Sequence, residues 1–213
     1  MLVDNALAIA DAAGPDDAAR SAEVDRILRA AWMVLERSRF RSLKIRQVLL
    51  ASNTSASNFY SRFPSKSHLL LALLAEEAQR SDRVLRKQLA CAQGPAAQLR
   101  VWLTHHIRVL SVPELAERAR LFMDPDLLHD LPDQVRGLHV TGTGRLVTVL
   151  REGMRQGVFR DGDPVVDAAM VQDLIFGMVT TGLTGSVGKS ADESLRAVGD
   201  FVERALRADA DNR

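Results

Sequence analysis

A chain of 213 residues with a net charge of +1, 46% hydrophobic and 26% charged, has the composition of a globular protein and the length for one large domain or for a small and a medium one. No apolar run approaches the roughly 18 residues that suggest a membrane span, and the single Cys91 excludes an intrachain disulfide. The acidic, Ala-rich start from Met1 to Asp17 lacks the basic and apolar regions of a secretory signal, so a cytoplasmic location without a membrane partner is expected.

The near-zero charge averages over unequal parts. Residues 1–36 carry seven acids and three bases, residues 37–75 carry Arg37, Arg39, Arg41, Lys44, Arg46, Arg62 and Lys66 with no acid, and the remainder sums to −2. A basic stretch free of carboxylates is the electrostatic footprint of a polyanion, because duplex DNA is held largely through Lys and Arg contacts to phosphate.

In chain order, residues 1–20 show no sustained apolar period and contain Gly14-Pro15-Asp16-Asp17, which predicts a flexible arm. Val24, Ile27, Leu28, Ala31, Val34 and Leu35 then fall on one face of a helix over about 21–38. Two short apolar sets follow, Ile45, Val48, Leu49 and Phe59, Tyr60, Phe63, on either side of Ala51-Ser52-Asn53-Thr54-Ser55. Asn53 suits the left-handed end of the first short helix, and Ser55 can cap the second by accepting a backbone N–H bond. Two short helices around a tight turn make a helix-turn-helix. Pro64 ends it, and Ser65 opens a long helix from Lys66 to about Ala90. Further helices are expected over 95–111, 113–122, 132–156, 164–185 and 191–208, and no strand pattern is evident. The class is therefore all-α, divided into an arm (1–20), a three-helix segment with the helix-turn-helix (21–68) and a helical remainder (69–213).

The basic stretch and the helix-turn-helix are the same segment, as expected of a helix laid in a major groove while flanking Lys and Arg hold phosphates. Here the run Ser55-Ala56-Ser57-Asn58-Phe59-Tyr60-Ser61-Arg62-Phe63-Pro64-Ser65-Lys66 resembles the signature of the tetracycline-repressor (TetR) family, in which a capped recognition helix ends in aromatic-Tyr-x-x-Phe and Ser-Lys opens the next helix. Ile27-Leu28-Arg29-Ala30-Ala31 and Ile45-Arg46-Gln47-Val48 are similar to the family's first two helices, so the likeness spans about residues 24–76.

The resemblance implies that Ser57, Asn58 and Tyr60 face the groove or nearby phosphates, that Arg62 lies at the end of the recognition helix, and that Lys66 grips phosphate. Lys44, Arg46 and Ser55 complete the expected DNA-binding set, while Phe59 and Phe63, at i and i+4, are expected in the core. The family often has Gly where Asn53 stands, an apolar residue at Thr54, and Thr or Ser at Lys44. Lys44 cannot cap, so either Ser42 caps a longer helix or the cap is weak.

The resemblance further implies a ligand-binding and dimerisation domain in the remainder, with a cavity within helices four to seven and a homodimer through the last two long helices. Residues Val165, Val166, Ala168, Ala169, Met170, Val171, Leu174, Ile175, Met178 and Val179 make the penultimate helix apolar nearly all round, which fits burial against a partner with Ile175 in the seam. Leu195, Val198, Val202 and Leu206 add helical spacing in the last. Candidates for the cavity are Trp102, His106, Phe122, Met123, Arg145, Val149 and Phe176, a mixture that favours an apolar or aromatic effector. An inward Arg145 would instead favour a carboxylate or an acyl thioester.

Enzyme-like fragments fail on context. Ser186-Val187-Gly188-Lys189 sits in an interhelical loop, Gly182 to Ser190 has Leu183 where a phosphate loop needs Gly, and Gly142-x-Gly144 lies in a helical pattern. Adjacent His105 and His106 diverge by about 100° on a helix and have no third ligand. The expectation is a non-enzymatic, cofactor-free repressor that binds a double-stranded operator as a homodimer and answers a small effector. The alternatives are a non-sensing architectural DNA-binding protein and an enzyme in the helical domain.

Overall fold

The computed structural model describes residues 15–38, 42–112, 115, 118, 124–183 and 191–208. Among the described residues the regular elements are helices: α1 (Pro15–Arg37), α2 (Ile45–Ser52), α3 (Ala56–Arg62), α4 (Lys66–Cys91), α5 (Pro95–Ser111), α6 (Pro125–Asp130), α7 (Pro132–Arg155), α8 (Pro164–Leu183) and α9 (Ala191–Leu206). The all-α class follows, with one isolated antiparallel bridge, Phe159 to Arg207, as the β feature of that set.

The expected helix at about 21–38 starts earlier, at Pro15. Proline at a first helical position forfeits only an N–H that the helix would leave unpaired, so Gly-Pro is here a start rather than a break. The expected helix over 113–122 lies mostly outside the described residues. The short α6 was not anticipated, although its signal is local: the Asp124 carboxylate accepts the N–H groups of Asp126 and Leu127 at 3.1 and 3.2 Å, and Pro125 follows it.

The chain divides into two compact units, one of residues up to Glu77 together with the segment ending at Gly137, the other of Ala78 to Ala119 and from Leu138 onward. In the first, the apolar face of α1 (Ile27, Leu28, Ala31, Val34, Leu35) is buried, as are Val48, Phe59, Phe63, Leu69 and Leu73. Polar ties supplement the packing. Arg26 Nε donates to the Ser52 carbonyl at 3.0 Å, and Trp32 Nε1 donates to Glu76 at 2.8 Å.

The second unit is built on a core from α5 (Leu99, Trp102, Leu103, Ile107), α7 (Leu146, Val149, Leu150), α8 (Ala168, Val171, Ile175) and α9 (Val198, Val202, Leu206). Phe159 closes one end of it. An added Cβ at Gly153 would lie 2.0 Å from the Phe159 ring, so that ring reaches α7 only because residue 153 has no side chain.

Candidate nucleic-acid interface and ligand cleft

The turn between α2 and α3 is built as its residues dictate. Asn53 takes the left-handed conformation (φ 51°, ψ 44°), and the Ser55 hydroxyl accepts the Asn58 N–H at 3.2 Å. Thr54, where an apolar residue is usual, is buried with its hydroxyl 3.4 Å from the Ser52 carbonyl. Lys44 precedes α2 without a side-chain cap, so the weak-cap alternative holds.

The side chains of α3 and of its C-cap residue Phe63 sort into three groups. Phe59 and Phe63 are buried, with ring centroids 5.6 Å apart. Ser57, Tyr60 and Ser61, at helical spacing, are exposed, and the Tyr60 ring rests edge-on against Phe59. Asn58 and Arg62 turn toward α1, where Glu23 accepts from Asn58 Nδ2 at 3.5 Å and from Arg62 Nε and Nη2 at 3.1 and 3.0 Å.

Glu23 carries no local sequence signal, since it lies outside the basic stretch and meets Arg62 only across 39 positions. Its consequence is that Arg62, at the end of α3 as expected, is answered within the unit and braces α3 against α1. Lys66 is answered too, by Asp124 at 3.3 Å and Asp126 at 4.0 Å, while the neighbouring Ser67 hydroxyl donates to Asp130 at 2.6 Å. Lys44 and Arg46 are exposed, and no ion pair to them is found among the described residues. Ser55 is exposed as well.

In the second unit an open cleft of about 490 Å³ is lined by Asp82, Leu89, Ala90, Gln98, Gly144, Arg145, Thr148 and Val149. Of the expected cavity residues it brings together Arg145 and Val149. Arg145 is bound to Asp82 through two hydrogen bonds, one from Nε and one from Nη2 at 2.8 Å, and this partner holds the Asp82 carboxyl below its usual range. Trp102 is completely buried in the core, with His106 stacked on it at 3.9 Å between centroids. Phe122 and Met123 lie outside the described residues. Phe176 is exposed on α8 and is not among the residues that line the cleft.

Burial pushes His106 down to about 4, against a hydrogen bond to the Trp102 carbonyl that works the other way, with neighbouring His105 adding a smaller downward push. Between the ordinary value of 6.5 and that value the unfolded chain binds a proton that the native ring refuses, so stability falls as pH drops through this window. The loss attributable to His106 should total about 3 kcal/mol by pH 4. His106→Asn should remove that share of the slope in urea unfolding followed from pH 7 to pH 4.5; parallel slopes in both proteins would show a hydrated ring. His105, also lowered by burial, acts in the same direction in both.

Among the described residues no helix is long and apolar enough to cross a membrane, and no group of three or more His, Cys, Asp or Glu side chains is placed to hold a metal. Residues 27–73 match the sequence model of the bacterial regulatory proteins, tetR family. No curated protein is matched by the chain.

Among solved structures, the fold is similar to a protein assigned as a transcriptional regulator from Saccharomonospora viridis, in complex with choline (24% identity, 88% of this chain and 98% of that one, TM-score 0.69). It is similar to a TetR-family transcriptional regulator from Agrobacterium tumefaciens (19%, 88% and 99%, TM-score 0.62). It is also similar to the regulator FadR from Bacillus subtilis in complex with stearoyl-CoA (17%, 85% and 98%, TM-score 0.64). At these identities the likeness is one of fold, and it extends over the second unit as well as the matched segment. The DNA-binding segment thus carries the match to the tetR family of bacterial regulatory proteins, and the fold around it is similar to that of solved TetR-family transcriptional regulators.

Proposed function

We propose that the protein is a homodimeric repressor that binds an operator inverted repeat through residues 21–68 and is released by a small molecule bound in the remainder of the chain. The observation that carries the DNA-binding half is the division of α3: Phe59 is buried while Ser57, Tyr60 and Ser61 stand exposed, with Lys44 and Arg46 exposed at the start of the preceding helix. A helix anchored on one side and polar on the other can present side chains to base edges while nearby cations hold phosphate.

Dimerisation is supported by Val166, Met170 and Phe176 on α8 and Phe201 on α9, all exposed although large and apolar. Sensing is supported by the cleft, and by the choline and stearoyl-CoA complexes of proteins with this fold. The helix α4 contributes its first turns to one unit and its last to the other. Its 26 residues span about 39 Å at about 1.5 Å each, so an effector that tilts its far end shifts Lys66 at its start. By linkage, operator DNA weakens effector binding by the same factor.

The test is operator binding by fluorescence anisotropy, on sites selected from random duplexes, across a series of salt concentrations. Lys66→Ala should weaken binding to all sequences and lower the salt slope by about one. Because Lys66 already has Asp124 and Asp126 as neighbours, an unchanged slope would mean that the ion pair survives on DNA and that Lys44 and Arg46 supply the phosphate contacts. A protein that selects no duplex at all would refute the repressor.

A further inference from the structure

The ionised side chains that line the cleft of the second unit are Asp82 on α4 and Arg145 on α7, and the remaining lining side chains are apolar or uncharged. The pair does not balance its surroundings. Arg86 Nε stands 3.4 Å from Asp82 Oδ2, and Arg83, the next residue of α4, adds to the positive field at that carboxylate. In the other direction, Asp82 is the one carboxylate that acts on Arg145 among the described residues. Three guanidinium groups thus share a single carboxylate, which leaves a surplus of positive charge beside the cleft.

Arg145 has donors left to offer. Its Nε and Nη2 donate to the two oxygens of Asp82, which takes up one edge of the planar fork. The N–H groups of Nη1 have no protein partner among the described residues, and the side chain is 33% exposed. A guanidinium carries five N–H donors, and its Nη1–Nη2 edge matches a carboxylate as well as its Nε–Nη2 edge does. Asp82 therefore fixes the group while the second edge stays available. A second carboxylate can bind there without displacing the first, since Arg83 and Arg86 offset the repulsion between them.

The rest of the cleft suits an apolar group. Leu89, Ala90 and Val149 line it; Val149 belongs to the core and Leu89 packs against that core, so this wall is firmly held. Along α4, Leu89 lies seven residues beyond Asp82, about 10 Å at about 1.5 Å per residue. Gly144 keeps the space between clear: a Cβ added there meets nothing within 4 Å. The cleft is thus cationic at one end and apolar at the other.

We infer that the effector is an amphipathic monocarboxylate whose carboxylate accepts from Nη1 and Nη2 of Arg145 and whose apolar tail lies along Leu89, Ala90 and Val149. This deepens the sensing role proposed above and rests on it. An ammonium ligand of the same shape meets the surplus of positive charge, and a neutral alcohol forfeits the charge-assisted bonds. The bound ligand touches α4 and α7 together, and α4 is the helix that continues into the DNA-binding unit.

The test is isothermal titration of the full-length, DNA-free protein near neutral pH with octanoate, octan-1-ol, octylammonium and acetate. Octanoate should bind at least about tenfold more tightly than octan-1-ol or octylammonium, which cannot accept the paired bonds of Arg145. It should bind at least about thirtyfold more tightly than acetate, which has no tail to bury. Arg145→Gln should bring octanoate and octan-1-ol to within about threefold of each other. Gly144→Leu, whose side chain enters open space, should abolish measurable octanoate binding without lowering the melting temperature. Octan-1-ol or acetate binding as tightly as octanoate, no binding of octanoate at about 5 mM, or an unchanged octanoate preference in a folded Arg145→Gln protein would each overturn the inference. So would an unchanged octanoate affinity in Gly144→Leu, and the wild-type comparison stands even if neither variant folds. Operator binding by the ligand-free protein is a separate measurement, so failure of the repressor reading is distinguishable from failure of this one.

Discussion

Replacing Phe59 by alanine is expected to destabilise the DNA-binding unit by about 3–5 kcal/mol, a large part of the about 5–15 kcal/mol that holds a domain folded. The Phe59 ring is fully buried and is the inner face of a seven-residue helix that has little stability of its own. Tyr60 stands edge-on to it at 5.2 Å, so losing the ring removes the support of an exposed groove-facing candidate as well. Operator binding should be lost together with a low-temperature melting transition seen by circular dichroism. Tyr60→Phe is the contrast: the ring is 51% exposed, so stability should change by no more than about 0.5 kcal/mol while operator affinity falls. A Phe59→Ala protein that melts with the wild type would mean that α3 is held in place by its polar ties to Glu23 instead.

If the protein is the homodimer proposed above, Met170→Glu is expected to convert it to monomers without unfolding the chain. Met170 is 64% exposed on α8, so within one chain a glutamate there meets water and costs little. In a seam formed with a second copy the same carboxylate would be desolvated without a partner, at a cost of several kcal/mol. Sedimentation at micromolar concentration, with the melting curve as a control, separates the two cases; a dimer of unchanged stability would place the seam elsewhere. The sequence pattern points to Ile175 for this experiment, but Ile175 is 3% exposed in the core of its own unit, and a charge there would unfold the chain whatever its oligomeric state. Trp102→Ala is unsuited to testing ligand response for the same reason, since it would leave a cavity in that core.

Much of the DNA-binding segment was legible in its residues because the relevant physics is local. Asn53 tolerates positive φ, Ser55 and Ser65 accept N–H bonds from the turn that follows them, and Phe59 and Phe63 meet across one helical turn; each is found as expected. The helix starting at Pro15 and the short α6 were missed because neither Pro15 nor Pro125 was read as a first helical residue, the role that Pro95, Pro132 and Pro164 were expected to fill and do.

Sequence alone determined the all-α class, the place and geometry of the helix-turn-helix, and the apolar surplus of α8, because caps, turns and periodicity are settled within a few residues. Tertiary structure decided which charges and apolar faces are left uncovered. A carboxylate-free stretch looks uncompensated along the chain, yet folding brings Glu23 to Arg62 and Asp124 to Lys66 across 39 and 58 positions, and Asp82 to Arg145 across 63. Likewise Ile175 and Phe176 are neighbours in an all-apolar run, and only packing against the rest of the unit buries the first and leaves the second exposed. Coulomb attraction and burial depend on distance in space, which the order of residues does not contain.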